Sequence, residues 1–235
     1  MVRRFAIIFD LDGTLVDTET IHAKAESKLL SDLGIIMTPE EITHKYAGIP
    51  TESYIEEITN HKKPLNELMS RKNRIIDKAI NEMGMRPILG MPELVDYVSG
   101  LDVPIFVASS SDSEWIRKCL SASFEINNRV YSYGYYFKNN FISCSEVHNH
   151  KPSPDVFLEA KKRMKKQHAF LNNDDIEWIV VGDSLVDMEG ALKAKMKAFI
   201  WGNFKKSLNK NTNVAIFSTS EKLAEHVKIT VKNNK

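Results

Sequence analysis

The stretch Phe5-Ala6-Ile7-Ile8-Phe9-Asp10-Leu11-Asp12-Gly13-Thr14 opens as an apolar run and ends in two acids and a glycine. An unbroken apolar run of this kind suits a strand covered on both faces, as in a parallel sheet. It is far too short for a membrane span or the core of a secretory signal. Asp10 and Asp12 are two residues apart, which at an extended strand end puts both carboxylates on one side, and Gly13 permits a tight turn directly afterwards.

Similar short runs recur downstream at Val103 to Ala108, Trp178 to Val181 and Ala198 to Trp201. Helix signals lie between them: Ser111 with Glu114 as a capping box, and Ser153 as N-cap with Pro154 at the first helical position. Alternating strand and helix predict an α/β, doubly wound parallel sheet. The interval from about Asp17 to Met85 breaks the rhythm, because it offers helices and no convincing strand. Ile21, Ala25, Leu29 and Leu33 share one helical face, with Gly34 as a stop. Thr38-Pro39-Glu40-Glu41 starts a second helix, and Leu65 to Met83 forms a longer one ended by Gly84. This interval is expected to be a helical lobe inserted just after the first strand. Between Asn127 and Asn140 the aromatic segment Tyr131 to Phe137 fits an extra hairpin or an irregular loop, with packing its commonest use. Ser218-Thr219-Ser220-Glu221 starts a last helix, and Lys232 to Lys235 are expected to fray.

The chain has 235 residues, enough for a sizeable core but not for two large independent domains. Lysine plus arginine (32) nearly cancel aspartate plus glutamate (31), so no global field favours nucleic acid or an anionic membrane. Its two cysteines, Cys119 and Cys144, are too few for a disulfide framework and point to a reducing cytoplasm.

Ligands of an open parallel sheet bind outside the carboxyl ends of its strands. Four places there carry chemistry: Asp10 to Thr14, Ser109 after Val107-Ala108, Lys151 before Pro152, and Asp183 with Asp187 after Val180-Val181-Gly182. A carboxylate can attack phosphorus without first losing a proton, forming an acyl phosphate that water later hydrolyses. A second carboxylate can protonate the leaving oxygen and then deprotonate the water. Gathering Asp10, Asp12, Asp183 and Asp187 at one edge is costly unless a cation compensates, and magnesium, which prefers oxygen ligands, is the natural one. Ser109 can donate to a phosphoryl oxygen, and Lys151 can offset charge on the phosphate and on Asp10. Blander roles exist for each group. Ser109, Ser110 or Ser111 could only cap a helix, Lys151 could be a surface lysine, and Asp187 could be a first-turn acid stabilised by the helix dipole. The full set in this order outweighs coincidence. Ser109 is favoured by its place after the apolar run and Lys151 by its proline-flanked setting, while the two readings of Asp187 stand level.

The set resembles the haloacid dehalogenase superfamily. Asp10-Leu11-Asp12-Gly13-Thr14-Leu15-Val16, Ser109, Lys151-Pro152-Ser153-Pro154-Asp155 and Gly182-Asp183-Ser184-Leu185-Val186-Asp187 match its four motifs. The resemblance implies a Rossmann-like core at 1–16 and 86–235, and a helical cap at 17–85 that closes over the site and selects substrate. It implies Asp10 as nucleophile and metal ligand, and Asp12 as acid/base with its main-chain carbonyl on the metal. It further implies Ser109 and Lys151 as phosphate binders, Asp183 as metal ligand, and Asp187 as a direct or water-mediated metal partner. The expected reaction is magnesium-dependent hydrolysis of a small phosphorylated metabolite, a sugar phosphate or phosphoglycolate, through an aspartyl phosphate. Lys45, Tyr46, Thr51, Glu52 and Arg71 are the candidate selectors, and His22 resembles a histidine near the cap hinge of related enzymes.

Sugar-phosphate mutases of the β-phosphoglucomutase type carry a cap arginine where Thr51 follows Gly48-Ile49-Pro50, which favours a phosphatase, although Lys45 or Arg71 could substitute. Asp12 speaks against a dehalogenase, which needs neither metal nor a second acid. The large insert speaks against a signalling receiver domain, and the intact acidic set against a silent binding protein on this fold.

Overall fold

The structure, a computed structural model, describes residues 4–46, 51–61, 63–204 and 211–233. Gly48-Ile49-Pro50 therefore lie outside the described residues. The chain divides into two compact units, Met1–Val16 with Pro87–Lys235, and Asp17–Arg86.

The first unit contains strands β1 (Arg4–Phe9), β2 (Ile105–Ser109), β3 (Ser123–Ile126), β4 (Arg129–Ser132), β5 (Phe141–Ser143), β6 (Ile176–Gly182), β7 (Lys197–Trp201) and β8 (Val214–Phe217). Six of them form a parallel sheet in the order β5-β2-β1-β6-β7-β8. The chain builds outward from β1 through β2 to β5 on one side, and from β6 through β7 to β8 on the other. The direction reverses between β1 and β6, and the carboxyl ends of those two strands flank the crevice where such sheets take ligands. The central strands are buried on both faces, as the unbroken apolar runs require. Ala6 and Ile8 of β1 share a core with Phe157, Met164, Met188 and Ala191. On the opposite face the Phe9 ring meets Phe137 edge-on, with centroids 5.8 Å apart.

Two strands of the sheet were not among those expected. β5 has three residues directly after Asn139-Asn140, and β8 is a half-buried edge strand whose unbroken run Val214-Ala215-Ile216-Phe217 was passed over in the sequence reading. The aromatic segment is divided between two structures. β3 and β4 form an antiparallel hairpin whose turn residues Asn127 and Asn128 have φ of 52° and 61°, the left-handed pair of a tight hairpin turn. Tyr133–Phe137 then makes one short helix in which Tyr133 and Phe137 are fully buried. Packing thus accounts for most of these rings, with Tyr135 left exposed.

Two helix starts fall beside their sequence expectations. Asp112, not Ser111, caps the helix Ser113–Leu120 by accepting from the Trp115 backbone N–H at 2.9 Å. The helix Asp155–Gln167 begins one residue later than expected, because the Pro154 carbonyl accepts its first bond from Leu158. Leu185–Lys193 follows β6, and Ser220–Lys232 is capped by Thr219, so Lys232 is helical rather than frayed.

The second unit is helical: Glu19–Asp32, Pro39–Tyr46, Ile55–Ile58 and Leu65–Met83. Its apolar core includes Leu29, Leu30, Ile42, Ile55 and Leu68. Thr38 and Glu41 form a reciprocal capping box at 3.1 and 2.7 Å, while Gly34 and Gly84 follow their helices with φ of 80° and 70°. A buried polar cluster crosses this unit. Glu26 accepts from Thr51, from Tyr54 at 2.6 Å and from Lys72 at 2.7 Å, and Lys72 also donates to Thr51. Where the chain leaves and re-enters the first unit, Val16 bridges Pro87; in the second unit, the Asp17 N–H donates to the Arg86 carbonyl at 2.9 Å. Among the described residues no helix is long and apolar enough to cross a membrane.

Candidate active site

Asp10, Ser109 and Asp183 lie at or just beyond the carboxyl ends of parallel strands. Asp10 follows β1 and its N–H donates to Val181 of β6 at 2.9 Å. Ser109 ends β2, and Asp183 follows β6. Gly13 has φ of 74°, and a Cβ there would lie 2.3 Å from Asp183 Oδ2, so a glycine both makes the turn and lets Asp183 close in. Gly182 has a similar reason, since a Cβ would meet Asp187 at 2.8 Å.

Lys151 ties the acids together. Its ammonium donates to Asp10 Oδ1 at 2.5 Å, Asp187 Oδ1 at 2.8 Å and the Ala108 carbonyl at 2.8 Å. All three donors of the ammonium are used, and its side chain is only 2% exposed, so this is not a surface lysine. Burial acts to lower the Lys151 pKa, but the Asp10 and Asp187 carboxylates outweigh it and hold the amine well above its ordinary range. Burial, followed by Asp187, pushes Asp10 well above the usual carboxylate range, with Asp183 and Asp12 adding to the push and Lys151 opposing it. Asp187 is buried in the first turn of its helix, where Ser184 donates to its Oδ2, and its Oδ1 accepts from Lys151. Thr14 donates to Asp183 Oδ1 at 2.7 Å.

Asp10, Asp183 and Asp187 each offer an oxygen within 4.8 Å of the others. The three acids gather beside Lys151 in a largely buried place, and all their donors are hard oxygens. That donor set fits a divalent cation.

The Asp12 carboxylate has its own set of donors. Oδ1 accepts from the Trp115 indole N–H at 2.8 Å, and Oδ2 from Ser111 at 2.6 Å and Ser109 at 3.3 Å. The Ser109 hydroxyl also accepts from the Ser111 N–H at 3.0 Å, so two of the three consecutive serines converge on Asp12 and the exposed Ser110 does not. Sequence reasoning named Ser111 only as a cap and gave Thr14, Ser184 and Trp115 no role. Thr14 and Ser184 lay inside the quoted motifs, next to acids they now bond. Trp115 had no local signal at all.

His22 and the five expected selectors belong to the helical unit. Tyr46 stacks on Tyr54 with centroids 3.9 Å apart, Lys45 lies 5.1 Å from the Tyr46 ring, Arg71 pairs with Asp32 at 3.7 Å, and Thr51 is bound into the Glu26 cluster.

A family model for haloacid dehalogenase-like hydrolases matches residues 7–201. The chain is 25% identical to the 6-phosphogluconate phosphatase of Escherichia coli over 85% of its own length and 83% of the relative. It is 30% identical to the fructose-1-phosphate phosphatase YqaB of the same organism, over 71% of the chain and 84% of the relative. A solved structure of a candidate β-phosphoglucomutase from Thermotoga maritima shares the fold with a TM-score of 0.75, at 21% identity over 95% and 98% of the two chains.

Proposed function

Because the chain belongs to the haloacid dehalogenase-like hydrolases, we propose that it hydrolyses a small phosphomonoester, a sugar phosphate by kinship, through an aspartyl phosphate on Asp10. The observation that carries this reading is the convergence of Lys151 on Asp10 and Asp187 beside Asp183. It supports a nucleophile whose charge is held in place and a cation site next to it.

Asp10 attacks phosphorus as the ionised carboxylate. The bond from phosphorus to the leaving oxygen breaks, and Asp12 gives that oxygen its proton. Water then attacks the acyl phosphate, its proton passes to Asp12, and phosphate leaves with the Asp10 carboxylate restored. Lys151 keeps Asp10 aimed and offsets its charge. Ser109 donates to a phosphoryl oxygen; its 3.3 Å bond to Asp12 is the longest of the three there and the first to yield to a ligand. A divalent cation, magnesium on this donor set, held by Asp10, Asp183, Asp187 and the Asp12 carbonyl, would neutralise the repulsion between substrate phosphate and nucleophile.

Hydrolysis is preferred over mutase chemistry because Thr51, at the position of the mutase arginine, spends its hydroxyl on Glu26 and Lys72. Residues 17–86 serve as the substrate-selecting cap in this reading. A soluble metabolite in a reducing cytoplasm accords with Cys119 and Cys144, both buried and free.

The test is phosphate release from a panel of phosphomonoesters, with magnesium or chelator, for wild type beside Asp10→Asn. Magnesium-dependent release by wild type and its loss by at least about 10³-fold in the variant are expected. Release that persists in Asp10→Asn would remove Asp10 from its role.

A further inference from the structure

The helix Ser113–Leu120 turns one side chain back toward β1. Asp112 caps its first turn on the Trp115 backbone N–H, and the Trp115 indole N–H reaches Asp12 Oδ1 at 2.8 Å. Trp115 thus spends both of its N–H groups on carboxylates, one fixing where the residue sits and the other fixing Asp12. Ser111 reaches Oδ2 at 2.6 Å, and its own carbonyl accepts from Ser143 of β5 at 2.7 Å. The carboxylate is gripped at both oxygens from elements that follow β2 and not from its own loop.

The two grips differ chemically. An indole N–H only donates, so Oδ1 is committed as an acceptor. A serine hydroxyl donates or accepts, so Oδ2 can gain or lose a proton while its contact with Ser111 survives by rotation of the hydroxyl. Resting on the phosphatase reading above, we propose that Trp115 is the positioning residue of the acid/base: it anchors Asp12 through Oδ1 and leaves Oδ2, beside Ser111, as the oxygen that hands over the proton. In the first step the Oδ2 proton goes to the leaving oxygen as its bond to phosphorus breaks. In the second, a proton of the attacking water goes to Oδ2 as the bond from phosphorus to Asp10 breaks.

The leaving group separates positioning from mere support. 2,4-Dinitrophenolate departs without a proton, whereas the alkoxide of glycerol 2-phosphate does not. The parameter kcat/KM covers the steps through leaving-group release, and kcat includes the hydrolysis of the aspartyl phosphate as well. For Trp115→Phe with magnesium, kcat/KM for glycerol 2-phosphate is expected to fall roughly tenfold or more, a share of what a positioned acid supplies. For 2,4-dinitrophenyl phosphate, kcat/KM is expected to hold within about twofold while kcat falls, because only the second step then needs Asp12. Ser111→Ala is expected to give the same split, and Ser111→Thr, which keeps the hydroxyl, to abolish it by restoring kcat/KM for glycerol 2-phosphate. Equal losses of kcat/KM on both substrates, or no loss on either, overturn the assignment. If circular dichroism shows Trp115→Phe to be misfolded, the Ser111 pair decides by the same criterion. A folded wild type that releases neither leaving group overturns the phosphatase reading itself, and this inference with it.

Discussion

Gly13 shows how closely the site constrains a single residue. Its φ of 74° alone would make an L side chain cost about 1–2 kcal/mol. The nearer penalty is steric, because Asp183 Oδ2 lies 2.3 Å from where a Cβ would stand. Gly13→Ala must therefore displace Asp183 and is expected to weaken magnesium binding by about tenfold or more, equivalent to ~1.4 kcal/mol, in a calorimetric titration. Unchanged affinity would mean that Asp183 does not hold the cation. Such residues were legible in advance because each sits within a few positions of its partner motif or at the end of an apolar run. Trp115 was not. Its partner Asp12 follows another strand, and the contact depends on a helix start that the local capping signal misplaced by one residue. A capping residue fixes which side chains of the first turn face inward, so a small error in the cap conceals a long-range bond.

The helices of the 17–86 unit are joined by more than apolar packing. Burial by itself would raise the Glu26 carboxyl, but the Lys72 ammonium and the hydroxyls of Thr51 and Tyr54 outweigh it and leave the group below its ordinary value. A carboxyl lowered in this way stabilises the fold above its unfolded value, about 4.3, and that contribution disappears as the pH falls through the lower folded value. Thermal unfolding of the wild type is thus expected to lose stability below about pH 4 in a part that Glu26→Gln does not show. At pH 7 the same variant leaves Lys72 buried without its counter-charge, at a cost of about 3–5 kcal/mol. An unfolding temperature that matches wild type at both pH values would show the cluster to be energetically idle. Sequence periodicity found these helices, since their apolar faces and end glycines are local, and it could not find the cluster, whose members come from different elements and whose charges look like surface residues one at a time. Likewise β5 forms because the sheet supplies a neighbour for it, and its three residues carry little signal of their own.

The whole chain is a parallel sheet interrupted after its first strand. Val16 bridges Pro87 at the point where the inserted segment departs and returns, so the first unit's ends there are already adjacent. Replacing residues 17–86 by a short glycine link is expected to leave a unit that unfolds cooperatively with its α/β circular dichroism intact. A shortened chain without a cooperative transition would show that the first unit requires the second in order to fold. The order of the sheet also has a consequence during synthesis. β1 is paired on one side with Ile105 to Val107 and on the other with Ile176 to Val181, so both neighbours leave the ribosome long after it does. Until then the nascent chain carries a bare apolar strand with two open edges, while residues 17–86, whose core lies within their own span, emerge complete behind it. For that interval the segment that becomes the centre of the sheet is an uncovered apolar run, the kind of surface on which unfinished chains aggregate.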